Sequence, residues 1–174
     1  MQNPRYPTYK LTVLALLTLN TALFALIDTW AGAADSVVWL LLLVSYELET
    51  YKTELPFSTQ TMLLIRKGLI AVLPLVFIGY LLEAEVLDAF NALLWFALIG
   101  LLELEAIKPG WIANNQQTYW AATIFVFIGL IALVGIWVAL AAWLDAYDAA
   151  LWIIAFAIIE VDIFRVMQEK LIPN

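Results

Sequence analysis

The side chains best placed to do chemistry in this chain are three glutamates that recur in matching surroundings: Glu47, Glu103 and Glu160. Each stands eight residues after a tryptophan (Trp39, Trp95, Trp152), which itself follows an acid or amide by four (Asp35, Asn91, Asp148). Two residues beyond each glutamate comes a second acid (Glu49, Glu105, Asp162), and three beyond that a base (Lys52, Lys108, Arg165). An aromatic residue also precedes each Asp or Asn by eleven positions: Phe24, Tyr80 and Trp137. The pattern [D/N]-x3-W-x7-E-[L/V]-[E/D]-x2-[K/R] therefore occurs three times, offset by 56 and then 57 residues. So many matched positions argue for three diverged copies of one unit.

Two residues along a helix is about 200° of rotation, so the two acids of each copy point in nearly opposite directions. The second acid and the base, three apart, share a face. Glu49 with Lys52, Glu105 with Lys108 and Asp162 with Arg165 thus read as ion pairs at helix C-termini, where a cation suits the helix dipole. Such exposed pairs anchor helix ends and contribute little individually. Glu47, Glu103 and Glu160 lie about 7 to 8 Å further inboard, with apolar residues one turn away. A carboxylate facing lipid there costs roughly 1 to 3 kcal/mol, so three of them call for compensation. Three arrangements would supply it. The glutamates could converge on a pseudo-threefold axis and share cations or protons, making a small conduction or transport site. They could bind Arg66 and Lys67, the only adjacent basic pair, in a buried network. Or they could present a charged ring to a partner protein. The identity of any metal ion is open on these residues.

The elements that must position these residues follow from composition. Apolar residues make up 65% of the chain and charged residues 13%, too few polar groups to clothe a soluble exterior. A bilayer core of about 30 Å needs about 20 apolar residues as helix, and six apolar runs are the candidates for such helices. They are Leu11–Ile27, a run from about Asp35 to Tyr46, Gly68–Leu82 with Pro74 inside it, Asn91 to Glu103, Tyr119–Leu144, and a last run through Trp152 to Arg165. No cleavage site follows the first run, which reads as a retained helix. The expected fold is an all-α integral membrane protein with about six transmembrane helices in three parallel-repeat helical hairpins. It forms a single transmembrane domain over 1–174, with repeats at about 10–52, 66–108 and 119–165.

With six crossings, all eight Lys and Arg fall on one side, and Asp28, Asp35, Glu83, Glu85, Asp88, Asp145 and Asp148 on the other. That positive-inside distribution puts both termini in the cytoplasm, and the chain's style fits a bacterial inner membrane. Pro74 reads as a tolerated kink. Gly129, Ala132 and Gly135 read as sites of close helix contact, and the repeated tryptophans as packing residues or depth markers.

Composition also excludes functions. There is no Cys and no His, which removes disulfides, thiol nucleophiles, the usual zinc sites, His-ligated haem and any His general base. The net charge of −7 speaks against nucleic acid as a partner. The connections between runs are too short for a soluble catalytic domain, so no enzyme activity and no cofactor are expected. The function expected is a small polytopic membrane protein acting as a channel or transporter for a proton or metal ion. The alternative is a non-catalytic accessory subunit of a larger membrane complex. Its expected partners are the lipid bilayer, cations, and further copies of itself or other membrane subunits.

Overall fold

A computed structural model describes the backbone of residues 7–51 and 58–171; side chains are described for these except 49–51, 59, 102–103, 105–106, 109 and 159–171. Among the described residues there are helices and no strands. In chain order they are α1 (Thr8–Ile27), α2 (Trp30–Tyr51), α3 (Thr59–Leu82), α4 (Val86–Ile107), α5 (Pro109–Asn114), α6 (Gln116–Ala139) and α7 (Trp143–Leu171). Four stretches are long and apolar enough to cross a bilayer: Thr8–Ile27, Trp30–Leu48, Gln60–Leu82 and Gln116–Ala139. That is the signature of a membrane protein. A fifth apolar stretch, Val86–Leu101, is shorter.

The helices start earlier than the apolar runs because polar residues cap them and fill their first turns. Thr29 accepts the Gly32 N–H through Oγ1 (3.2 Å) and opens α2 at Trp30, one turn before Asp35. Ser58 accepts the Thr61 N–H through Oγ (3.2 Å) and opens α3, so Arg66 and Lys67 lie two turns inside a helix rather than ahead of it. Within α1, the hydroxyls of Thr12, Thr18 and Thr21 donate to the carbonyls of Thr8, Leu14 and Leu17 (2.8 to 3.0 Å), which satisfies them inside an apolar span. Pro109 does end α4, at Ile107, but the chain re-forms a short helix over Pro109–Asn114 before α6.

The break after α6 falls earlier than hydropathy indicates. Helix α6 stops at Ala139, and the turn occupies Leu140–Ala142, because apolar residues can make a turn whose carbonyls the backbone itself satisfies. Ala141 takes φ 58°, and the N–H of Ala142 reaches back to Trp137 O (2.9 Å). The α3–α4 connection is built the same way: Ala84 takes φ 60°, and the N–H of Glu85 bonds Tyr80 O (2.9 Å). Asp145 and Asp148, which follow the apolar run Tyr119–Leu144, are in the opening turns of α7.

The chain forms two compact units, Met1–Val76 with Asp148–Asn174, and Phe77–Tyr147. In the first, α1 packs along α2. The inward face of α1 carries Lys10, Leu17, Asn20, Thr21 and Phe24, a helical spacing. Leu17, Leu151 and Ala155 form a buried cluster, with Val13, Leu16, Leu40, Leu43 and Trp152 packed against it. In the second unit α4 packs on α6, and Gly129 lets them approach closely: a Cβ there would sit 3.0 Å from Leu94 Cδ1. Gly135 has open space beside it and Ala132 is exposed, so of that trio only Gly129 makes the expected close contact.

Candidate functional site

Glu47 and Glu103 lie in the last turns of α2 and α4, whereas Glu160 lies inside α7, which continues to Leu171. Of these, Glu47 has a described side chain, and its environment is specific. Its Oε1 accepts from Lys10 Nζ at 3.0 Å, and the two side chains are only 10% and 4% exposed. The pair joins the first turn of α1 to the last two turns of α2 across the inner surface of that hairpin. Beside it lies a recess of about 20 Å³, lined by Val13, Leu14, Leu43, Ala155 and Ile158 together with the two charged groups. That space holds about one water molecule. A fully apolar wall on a charged pair strengthens its attraction while raising the cost of losing either partner.

Above the pair along α1 the chain turns dry. Leu17, seven residues beyond Lys10, is 1% exposed and anchors the apolar cluster with Leu151 and Ala155. Beyond that layer polarity returns. Asn20 is also 1% exposed, and its Nδ2 donates to Asp148 Oδ1 at 2.6 Å. Next to it Thr21 and Ser36 are buried, and Thr21 Oγ1 reaches Ser36 O at 3.5 Å. Trp39 Nε1 donates to Asp35 Oδ1 at 3.0 Å, and the Trp39 ring meets Trp152 at 6.0 Å between centroids. The inner face of this unit is therefore layered: an ion pair, an apolar plug, then a second polar cluster. Lys10 and Asn20 are ten residues apart, about 15 Å of helical rise.

No protein-family model, no curated protein and no solved structure matches this chain.

The structure places the other sequence-selected residues as follows. Arg66 is half-buried and Lys67 exposed, both on α3. Lys108 is exposed and lies just past the end of α4, where its N–H caps Leu104 O (2.8 Å). The side chains of Glu49, Glu103, Glu105, Glu160, Asp162 and Arg165, and the whole of Lys52, lie outside the described residues. The tryptophans of copies one and three do pack, against each other.

Two polar side chains of this inner face escaped sequence reasoning. Lys10 is, by sequence, one of eight bases on one side of the membrane, yet its side chain pairs with Glu47. A signal was present: the offset of 56 that relates Glu47 to Glu103 also relates Lys10 to Arg66, so a base precedes both glutamates at the same register. Asn20 carried no signal, since a lone amide in an apolar run has no repeated counterpart: Val76 and Leu133 occupy its register in the other copies.

Proposed function

We propose that this chain is a six-crossing membrane protein made of three diverged hairpins, with both termini cytoplasmic, that handles small cations or protons through Glu47, Glu103 and Glu160. The carrying observation is the buried Glu47–Lys10 pair, set beside a water-sized recess and separated from a second polar cluster by a dry layer at Leu17. A carboxylate whose charge is held by a lysine can exchange that partner for an incoming cation, or pass a proton, without ever being left uncompensated. A polar–apolar–polar sequence along one helix face suits a protein that admits ions to one level at a time.

The triplication draws support from burial and backbone. At the repeat offsets, Leu17, Leu73 and Leu130 are all buried, as are Phe24, Tyr80 and Trp137, and Val38, Leu94 and Leu151. The turns at Ala84 and Ala141 share one geometry 57 residues apart. In all three hairpins an alanine N–H bonds the residue that opens the second helix: Ala33 to Thr29, Ala89 to Glu85 and Ala146 to Ala142 (3.0 to 3.1 Å). Orientation rests on the one-sided placement of the eight basic residues. Hydrophobicity all round the helices, with only about a fifth of three of the spans buried, leaves broad faces for lipid.

The test is ion flux into liposomes carrying the purified protein, beside the triple change Glu47→Gln, Glu103→Gln, Glu160→Gln. Proton, sodium and potassium gradients are each imposed, with and without a membrane potential. Flux that vanishes in a folded triple variant is the expected result. Intact protein that passes no ion under any gradient overturns the reading.

A second reading, as an accessory subunit of a larger membrane complex, is favoured by the open space beside Gly100 and Gly135, both within apolar helix. Exposed glycines allow another helix to approach closely. Purification under mild conditions separates the two: a subunit brings stoichiometric membrane partners with it and loses stability when they are stripped.

A further inference from the structure

We propose that the outward face of α3 around Lys67 binds one anionic phospholipid. Helix α3 sorts its residues by face. Met62, Leu73 and Val76 are buried and Arg66 and Leu69 half-buried, steps of three and four that mark one inward stripe. On the opposite side Gln60, Leu64, Lys67, Gly68, Ala71 and Leu75 are all exposed. Neighbouring residues of a helix lie about 100° apart, so the two adjacent bases part: Arg66 lies on the inward stripe and Lys67 on the outward one. Residues 60–76 belong to a single compact unit.

Lys67 stands among side chains suited to lipid: Leu64 is 64% exposed and Leu75 61%. It lies eight residues, about 12 Å of rise, beyond Thr59, the first residue of α3. Among the described residues no acid pairs with it. A lysine stem resting on the helix lifts its ammonium towards the headgroups, and the counter-charge there is a lipid phosphate. One step towards the bilayer centre, a Cβ at Gly68 would meet nothing within 4 Å, and Ala71 follows a turn later. These small residues leave a shallow strip over which the acyl chain of the lipid lies, ending against Leu75. A choline or ethanolamine headgroup carries its own cation, which competes for the same phosphate, so a lipid of net negative charge is preferred. The chain as a whole is negative, at −7, so the preference is local to this base rather than general to the surface. In the six-crossing topology the leaflet is the cytoplasmic one; that placing rests on the orientation proposed above, and the site itself does not.

The chain has no Cys, so Ala71→Cys gives a unique attachment point on this face. The purified full chain, carrying a fluorophore there, is reconstituted in phosphatidylcholine vesicles. Brominated phosphatidylglycerol or brominated phosphatidylcholine is then included at rising mole fraction. Quenching that saturates at a lower mole fraction of the phosphatidylglycerol is expected. Lys67→Gln should weaken that preference by roughly fivefold, the factor for about 1 kcal/mol per base at an anionic surface, and Lys67→Arg should keep it. Gly68→Leu leaves the charge but fills the strip, so it should weaken the preference too. A label at Ile128, exposed on α6 with no base in that helix, should show none. Equal quenching by the two lipids, the same preference at Ile128, or a preference unchanged in Lys67→Gln or Gly68→Leu overturns the proposal. No ion flux enters the readout, so failure here and failure of the flux experiment are told apart.

Discussion

Lys10 Nζ lies 3.0 Å from Glu47 Oε1, and the two side chains are buried together on the facing surfaces of α1 and α2. Thirty-seven residues separate them in the chain. The contact converts a carboxylate inside an apolar span from a liability into a fixed electrostatic feature, and it fixes the register of the first hairpin.

Breaking that pair from one side takes a charged contact away from a buried group. Lys10→Met should therefore destabilise the protein by about 3 to 5 kcal/mol, and the double change Lys10→Met, Glu47→Leu should recover most of the loss. Unfolding in detergent, followed for both variants and the native chain, checks this. A double variant as unstable as the single one would show that the cost lies in packing and not in charge.

The turn alanines hold a left-handed backbone that costs an L-residue roughly 1 to 2 kcal/mol. Replacing Ala84 or Ala141 by Gly relieves that strain but adds freedom to the unfolded chain, so the net gain should be small, about 1 kcal/mol at most. Ala141→Val should destabilise by more than 1 kcal/mol, since a branched side chain tolerates positive φ poorly. Melting temperatures at position 141 should rank the Gly variant, the native chain and the Val variant in that order.

Gly129 and Gly135 are both on α6, six residues apart, and should respond oppositely. A methyl at Gly129 meets Leu94 at 3.0 Å, and a larger group such as Leu should cost about 1 to 3 kcal/mol. Gly135→Ala enters open space and should be neutral or stabilise by up to about 1 kcal/mol through helix propensity. Shortening Leu94 to Ala should partly rescue Gly129→Leu; absence of rescue would place the strain elsewhere.

The proposed topology gives a sharp readout in cells. A reporter fused at Asn174 should read cytoplasmic, and one inserted at Glu85 should read external. The reverse at either position would overturn the orientation, and two results on the same side would overturn the count of crossings between them.

Hydropathy made the helices legible because burial in lipid is a local property, paid residue by residue along each run. It misplaced their ends for the same reason. Capping by Thr29 and Ser58, and the turn at Ala141, depend on backbone hydrogen bonds that hydropathy does not register. Hence α2 and α3 begin a turn or more early, and α6 stops at Ala139 although apolar residues continue to Leu144.

The sequence by itself determined that the chain is helical and apolar enough for a membrane, and it singled out Glu47 as a carboxylate in the wrong solvent. It also marked Asp148 and Trp152 as a recurring pair of positions. Only the tertiary structure brought Lys10 against Glu47, and Asn20 against Asp148 across 128 residues. The reason is geometric. Spacing along one helix fixes which side chains share a face, but which face meets which neighbour depends on the rotation and pairing of whole helices, set by the summed packing of residues such as Leu17, Leu151 and Ala155.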